Sequence, residues 1–315
     1  MLKKIAWLID ILLIPFITPS ALILKIVRKK GLHYFPVTKK ILLKVGVLPV
    51  LDHYYEPLFN EKHLTKPLSE DRKLPGVDFN VDTQLQVLSQ LNFSSELDDV
   101  KEAYVNDTTF SFKNGSFEHG DAEFLYNIIR LKKPKRMIEI GSGHSTKIAQ
   151  LAIRKNQLED ASFTCEHICI EPYEMPWLES INVDVIRKRV EDIDLSFFKK
   201  LKANDLLFID SSHVIRPQGD VLFEYLELLP TLNSGVIVHI HDIFSPKDYL
   251  HNWIINEIRL WNEQYLLEAF LTSNQEWEII GAVNYLIHNH YDAVKDKLPR
   301  ISNDIEPGSF YILKK

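Results

Sequence analysis

Apolar and polar positions fall into three regimes along the chain. Residues 5–27 are largely apolar, from Ile5 to Val27, interrupted by Asp10, Pro15, Pro19 and Lys25. From Leu48 to Pro75 polar and aromatic residues mix without a period, and Pro49, Pro57, Pro67 and Pro75 mark an irregular connector. Beyond it, residues 82–103 read as helical. A clearer helix runs from Asp121 to Lys133, opened by Gly120-Asp121, with Phe124, Leu125, Ile128 and Ile129 recurring on one face. Short apolar runs and helical stretches then alternate: strand 137–141, helix 145–155, strands 167–171, 183–190 and 205–210, helix 219–229, strand 235–241 and a long helix 249–271. Such alternation predicts parallel βαβ units, hence an α/β, doubly wound, mostly parallel sheet. Two late β-prone runs, 277–280 and 309–313, suit the closing of one sheet edge, with antiparallel pairing left open. The organisation expected is a helical extension over 1–48, a connector and cap over 49–116, and a ligand-binding domain over 117–315. No internal repeat or low-complexity tract interrupts it.

Charge separates the first of these parts from the rest. Residues 1–48 carry nine Lys or Arg and one acid, Asp10, a balance of +8 that leaves about −14 on the remainder of a chain whose net charge is −6. An acidic body repels nucleic acid, so no nucleic-acid partner is expected; a basic, apolar start points instead to anionic lipid. The length of 5–27 would span a bilayer, but an internal charge and two prolines argue against a clean transmembrane helix. The favoured reading is helices lying in the membrane interface, with Lys25, Arg28, Lys29, Lys30, Lys39, Lys40 and Lys44 toward headgroups. A hairpin packed on the body is the alternative. A signal peptide also fits the basic start and the small residues Thr18-Pro19-Ser20-Ala21, although export would part an enzyme from a cytosolic cosubstrate. The expected location is therefore cytoplasmic, peripheral on the inner face of the membrane.

Cys165 and Cys169 give no disulfide framework, and their run around His167 reads as the lead into a strand rather than a zinc site. The run Asp52-His53-Tyr54-Tyr55-Glu56-Pro57 packs acid, imidazole and phenols together, either to line a pocket or to cover the core.

The chemistry gathers at strand ends, where open parallel sheets bind their ligands. Met137-Ile138-Glu139-Ile140 stops in Gly141-Ser142-Gly143 and reopens as a helix through His144-Ser145-Thr146. Two glycines at a strand tip let a ligand approach the backbone closely. Thr146 stands where a dinucleotide fingerprint wants a small residue, which weakens a pyrophosphate ligand; NAD binding is not expected. Glu139 suits the ammonium of an amino-acid moiety, and the helix start suits its carboxylate. Glu171, after Ile168-Cys169-Ile170, stands where a ribose would need an acceptor. Asp210 and His213 end one buried run, and His239, His241 and Asp242 end the next, so imidazoles and carboxylates converge as a divalent metal requires. Alternation puts His239 and His241 on one side of the strand, and Asp242 reaches the site only if the strand breaks there.

The glycine turn with Glu139 resembles motif I of the class I S-adenosylmethionine-dependent methyltransferases, whose sheet has seven strands and a final hairpin. Over about residues 117–250 the spacing looks like their metal-dependent subgroup, the macrolide-sugar O-methyltransferases and the methyltransferase-like proteins named after cephalosporin hydroxylase. The resemblance implies S-adenosylmethionine held by Glu139, Gly141, Ser142, Gly143, Ser145, Glu171 and Asp210. It also implies a divalent metal on Asp210 and Asp242, with His213, three residues after the first Asp, as the base. His241 occupies the position where that subgroup has a glutamate, and a nitrogen ligand there moves the preference from Mg²⁺ toward Mn²⁺, Fe²⁺ or Zn²⁺. The expected metal set is thus Asp210, His241 and Asp242. The activity implied is O-methylation of a hydroxylated small-molecule, sugar, glycan or lipid-linked acceptor, because a metal and an imidazole together make an alcohol nucleophilic. Two alternatives compete: a non-haem oxygenase using His239, His241 and Asp210, and a membrane-bound methyltransferase-like protein without catalysis. Association between copies of the chain stays open.

Overall fold

The computed structural model describes residues 2–315, with side chains from Lys4 onward. The chain divides into two compact units. The smaller holds the residues up to Lys66 together with Asn252–Leu260. Its main element is a helix, Leu2–Lys30, that contains Pro15 and Pro19. Over Lys4–Lys30 it is long and apolar enough to cross a membrane, and none of that stretch's most apolar window is buried. A turn through Gly31, at φ 105°, leads to a second helix, Pro36–Val45, which Gly46 ends in a left-handed conformation. Arg28 grips Glu56 with two hydrogen bonds of 2.7 and 2.8 Å and so ties the connector to the end of the long helix.

The larger unit is built on seven strands: β1 Arg136–Ile140, β2 Glu166–Ile170, β3 Asp184–Ile186, β4 Leu206–Ile209, β5 Ile237–Ile240, β6 Trp277–Ala282 and β7 Phe310–Lys314. Their order is β3-β2-β1-β4-β5-β7-β6, parallel except that β7 runs antiparallel to both β5 and β6. The order reverses between β1 and β4, the switch point where such sheets open a crevice. Strand alternation feeds two cores. Met137, Phe208 and Tyr311 pack with the helices Asp121–Lys132 and His144–Glu159, while Ile138, Ile140, Leu207 and Val238 pack on the other face with Val221 and Leu267.

Register decides where the site falls. Ile140 pairs with both Ile170 and Ile209, and Ile209 pairs with Ile240. The residues that follow each of these, Glu171, Gly141, Asp210 and His241, therefore emerge side by side at the carboxyl edge.

Three expected elements differ from those observed. The strand over 183–190 is only Asp184–Ile186: its partner β2 ends at Ile170, and the Lys188 N–H turns back to the Ile186 carbonyl at 3.0 Å instead of extending the ladder. The helix over 82–103 stops after Val81–Ser89, and a short turn Ser94–Leu97 follows, its approach held where Asn127 accepts the Phe93 N–H at 2.8 Å. The long helix over 249–271 is broken: a π-helical turn, Asn252–Asn256, is separated from the helix Glu263–Leu271.

Candidate active site

The turn after β1 is sterically determined. Gly141 sits at φ 77°, and a Cβ built there would lie 1.9 Å from the Asp210 carbonyl oxygen, so the backbones of the β1 and β4 ends touch. Gly143 caps the helix His144–Glu159 and receives no side chain closer than the Met175 methyl, 3.9 Å from where its Cβ would be. This leaves a backbone cradle at a helix N-terminus, suited to a carboxylate. Glu171 borders it: one oxygen faces the Ser142 N–H at 3.4 Å, and the other accepts the Tyr173 and Glu174 N–H groups at 3.0 and 2.9 Å.

Glu139, expected to meet an ammonium, is engaged by partners inside the protein. Its side chain is fully buried; Oε1 is 2.6 Å from His167 Nε2, and Oε2 accepts the Ser145 and Thr146 hydroxyls at 3.2 and 2.7 Å. Gln150 closes the chain on His167 Nδ1 at 2.6 Å. The carboxylate is thus spent on holding the helix start to β1 and β2, and as placed it does not face an ammonium. Ser145 belongs to the same internal network. His167 and Gln150 were not legible as partners because each lies on a separate element.

At β4 and β5 the strands end in left-handed turns, with His213 and Asp242 both at φ 59°. The break at Asp242 swings its carboxylate toward β4, and Gly308 makes this close passage possible: a Cβ there would lie 2.8 Å from the Asp242 Cα. Asp121, buried at the start of its helix, accepts the N–H groups of Gly308 (3.3 Å) and Ser309 (2.8 Å), fixing that segment. His213 Nε2 then lies 3.2 Å from Asp210 Oδ1 and 3.5 Å from Asp242 Oδ2. Its other nitrogen is 2.7 Å from Glu263 Oε2, and the Tyr225 hydroxyl donates to Glu263 Oε1 at 3.0 Å. Burial alone would lower the His213 pKa; hydrogen bonds to Asp210 and Glu263 outweigh it and raise the imidazole well above its usual value.

Among the described residues two groups bring three ligand atoms within reach of one ion: Glu139, His167 and Cys169, buried beneath the glycine turn, and Asp210, His213 and Asp242 at the sheet edge. In the second group His213, expected as the base, stands beside Asp210 and Asp242, whereas His241, expected as the ligand, lies to one side. The reason is strand alternation: His241 points, with His239, to the face of Phe117 and Phe208, and only its Nε2 touches the group, 3.5 Å from Asp242 Oδ1. His241 Nδ1 has no partner. His239 is fully buried between Phe208 and a stacked Tyr311 ring 4.3 Å away, and burial drives its pKa well down. Neither of its ring nitrogens has a polar partner, and it does not join Asp210 within reach of one ion, so the triad His239, His241 and Asp210 of the oxygenase alternative is not assembled among the described residues. Three carboxylates around one imidazole concentrate negative charge that a proton or a divalent cation can balance, and the two oxygens and one nitrogen suit Mn²⁺, Fe²⁺ or Zn²⁺ as donors.

Glu263 and Tyr225 complete the site and were missed. Glu263 lay inside the expected long helix; in the structure it opens the helix after the break, and its N–H and that of Asn262 bond the His213 carbonyl at 3.2 and 2.9 Å. A cleft of about 310 Å³, lined by Glu118, His119, Asp121, Asp304, Ile305 and Glu306, ends at Pro307, the residue before Gly308.

Residues 138–243, from β1 to just past β5, match a family described as a methyltransferase domain. An uncharacterized protein of Archaeoglobus fulgidus is 30% identical over 174 residues, which cover 51% of this chain and 77% of the archaeal protein. Among solved structures, the plantazolicin methyltransferase BpumL in complex with a triazolic desmethylPZN analog and SAH is 12% identical, with a TM-score of 0.35 over 61% of this chain and 85% of its own. A putative protein-L-isoaspartate O-methyltransferase from Plasmodium falciparum is 18% identical, with a TM-score of 0.28 over 50% and 83%. The sheet order and the family match make the chain an S-adenosylmethionine-dependent methyltransferase of class I. The chain belongs to one family with the archaeal protein, and its residues 138–243 are its methyltransferase domain.

Proposed function

We propose that the chain transfers the methyl group of S-adenosylmethionine to a hydroxyl oxygen of a sugar, glycan or lipid-linked acceptor, with a divalent cation on Asp210, His213 and Asp242. The observation that carries this reading is the convergence of those three side chains beside the glycine turn. The cosubstrate's carboxylate would meet the backbone of Gly141, Ser142 and Gly143, and its ribose hydroxyls Glu171. A bound cation would supply Lewis acidity that lowers the pKa of the acceptor hydroxyl. Glu263 holds the His213 ring in one orientation, as carboxylates do behind ligating imidazoles. The cleft lined by His119, Asp121 and Glu306 would take the acceptor; about 310 Å³ holds a group of sugar-ring size, near the lower limit of small-molecule pockets.

The same contact supports a second assignment. A Glu263–His213 pair also resembles an oriented general base, with the cation then on Asp210, His241 and Asp242. Methyl transfer from labelled S-adenosylmethionine to a panel of diols and sugars, with chelator and then with each divalent ion restored, tests the common reading. Transfer that chelator leaves untouched removes the metal; failure to bind the cosubstrate removes the whole proposal.

A further inference from the structure

We infer that the long first helix crosses a lipid bilayer, with the methyltransferase unit on the side of its basic end, and that the helix Pro36–Val45 lies along that membrane surface. This replaces the interfacial placement expected for the first helix, and it does not depend on the reaction proposed above.

The inference starts from exposure around the helix. An interfacial helix buries one apolar face and shows a polar one. Here Ile5 and Ile14, nine residues apart and so on opposite sides, are 49% and 55% exposed, and Trp7, Leu12 and Phe16 are likewise open. A helix apolar on all sides and uncovered by protein matches hydrocarbon, not an interface. Between Lys4 and Lys25 lie 20 residues, about 30 Å at 1.5 Å per residue, the thickness of a bilayer's hydrocarbon core. The polar groups within it are provided for. Ser20 Oγ donates to the Phe16 carbonyl at 2.8 Å, and Asp10 stands only one turn inside the aromatic Trp7, within reach of the headgroups.

The flanks set direction. Lys3 and Lys4 precede the stretch, whereas Lys25, Arg28, Lys29, Lys30, Lys39, Lys40 and Lys44 follow it. The richer flank is retained on the cytoplasmic side, where anionic headgroups complement it. On that side Val37, Ile41 and Val45 form an i, i+4, i+8 stripe, 72%, 57% and 69% exposed, bordered by Lys40 and Lys44. That pattern is the interfacial one: apolar side chains toward acyl chains, ammonium groups toward phosphates.

The test uses the full chain expressed in bacterial cells. The unchanged protein should stay with the membranes through high salt and alkaline carbonate. With Lys4→Cys, a membrane-impermeant maleimide should label intact cells, whereas Lys44→Cys should label only after permeabilisation. The native thiols should stay silent, since burial pushes Cys165 up to about 12 and raises Cys169 as well. Release by carbonate or salt would overturn the span in favour of peripheral binding. A mature N-terminus beyond Ser20 would mark a cleaved leader and overturn it too, and labelling of Lys44→Cys in intact cells would reverse the orientation.

Discussion

His213 and Glu263 are 50 residues apart in sequence, yet Nδ1 of one lies 2.7 Å from Oε2 of the other. The contact exists because the chain breaks before Glu263 and starts a new helix against the carbonyl of His213. Glu263→Gln keeps the shape of the side chain but replaces a charge with an amide. If His213 is a ligand, apparent metal affinity should fall by about 10–100-fold, the usual effect of losing a carboxylate behind a ligating imidazole. Titration with Mn²⁺ measures it; unchanged affinity with reduced turnover assigns Glu263 to a base pair instead.

His213→Ala and His241→Ala separate the two assignments directly. Loss of metal in the first and retention in the second is the outcome expected from the grouping of Asp210, His213 and Asp242. Under the base assignment, His213→Ala should keep its metal while turnover drops by about 10²–10⁴. Metal content by atomic absorption, read beside single-turnover rates, distinguishes them.

Glu171→Ala should weaken S-adenosylmethionine by roughly tenfold or more, because two ribose hydroxyls would lose their acceptor and each unpaired polar group costs about 1–3 kcal/mol. Calorimetric titration decides it, and NAD serves as the ligand that should not bind. An affinity equal to that of the unchanged chain takes Glu171 out of the site.

At Gly141 the conflict is steric. Alanine would place its Cβ 1.9 Å from the Asp210 carbonyl oxygen in a backbone at φ 77°. Gly141→Ala should lower stability by at least about 2 kcal/mol, more than left-handed strain alone. Denaturant unfolding measures the loss, and a fully stable variant would mean that the β1 and β4 ends are farther apart than described.

His144 supplies a pH dependence away from the metal group. Burial, with help from the charge of Lys147, lowers its pKa from 6.5 to about 4. The unfolded chain therefore takes up a proton at higher pH than the folded one does. The contribution of this residue is full above about pH 6.5, falls as pH drops toward 4, and is level below that. His144→Gln should remove that slope from a plot of unfolding free energy against pH; an identical slope in the variant would refute it.

Much of this was legible in the order of residues. Period-two and period-3.6 patterns identified the α/β sheet, the glycine turn and the strand-end residues Glu171, Asp210 and Asp242, because a buried parallel strand must be apolar along its length and can only carry chemistry where it stops. The roles of the polar groups were not legible. Glu139 stands where an ammonium acceptor belongs, but His167 and Thr146 claim it, and only packing brings those three together. His241 stands in the expected ligand position, but alternation turns it toward Phe117, while the left-handed turn at Asp242 delivers the carboxylate to His213. Glu263 was hidden inside an apparent helix whose break no local pattern announces. The first helix shows the same division: its apolar length was plain from composition, whereas the absence of any covering face, which separates a span from a hairpin, is a property of the folded chain. A local pattern reports which face of an element is apolar, and distance in the folded state decides which polar groups meet.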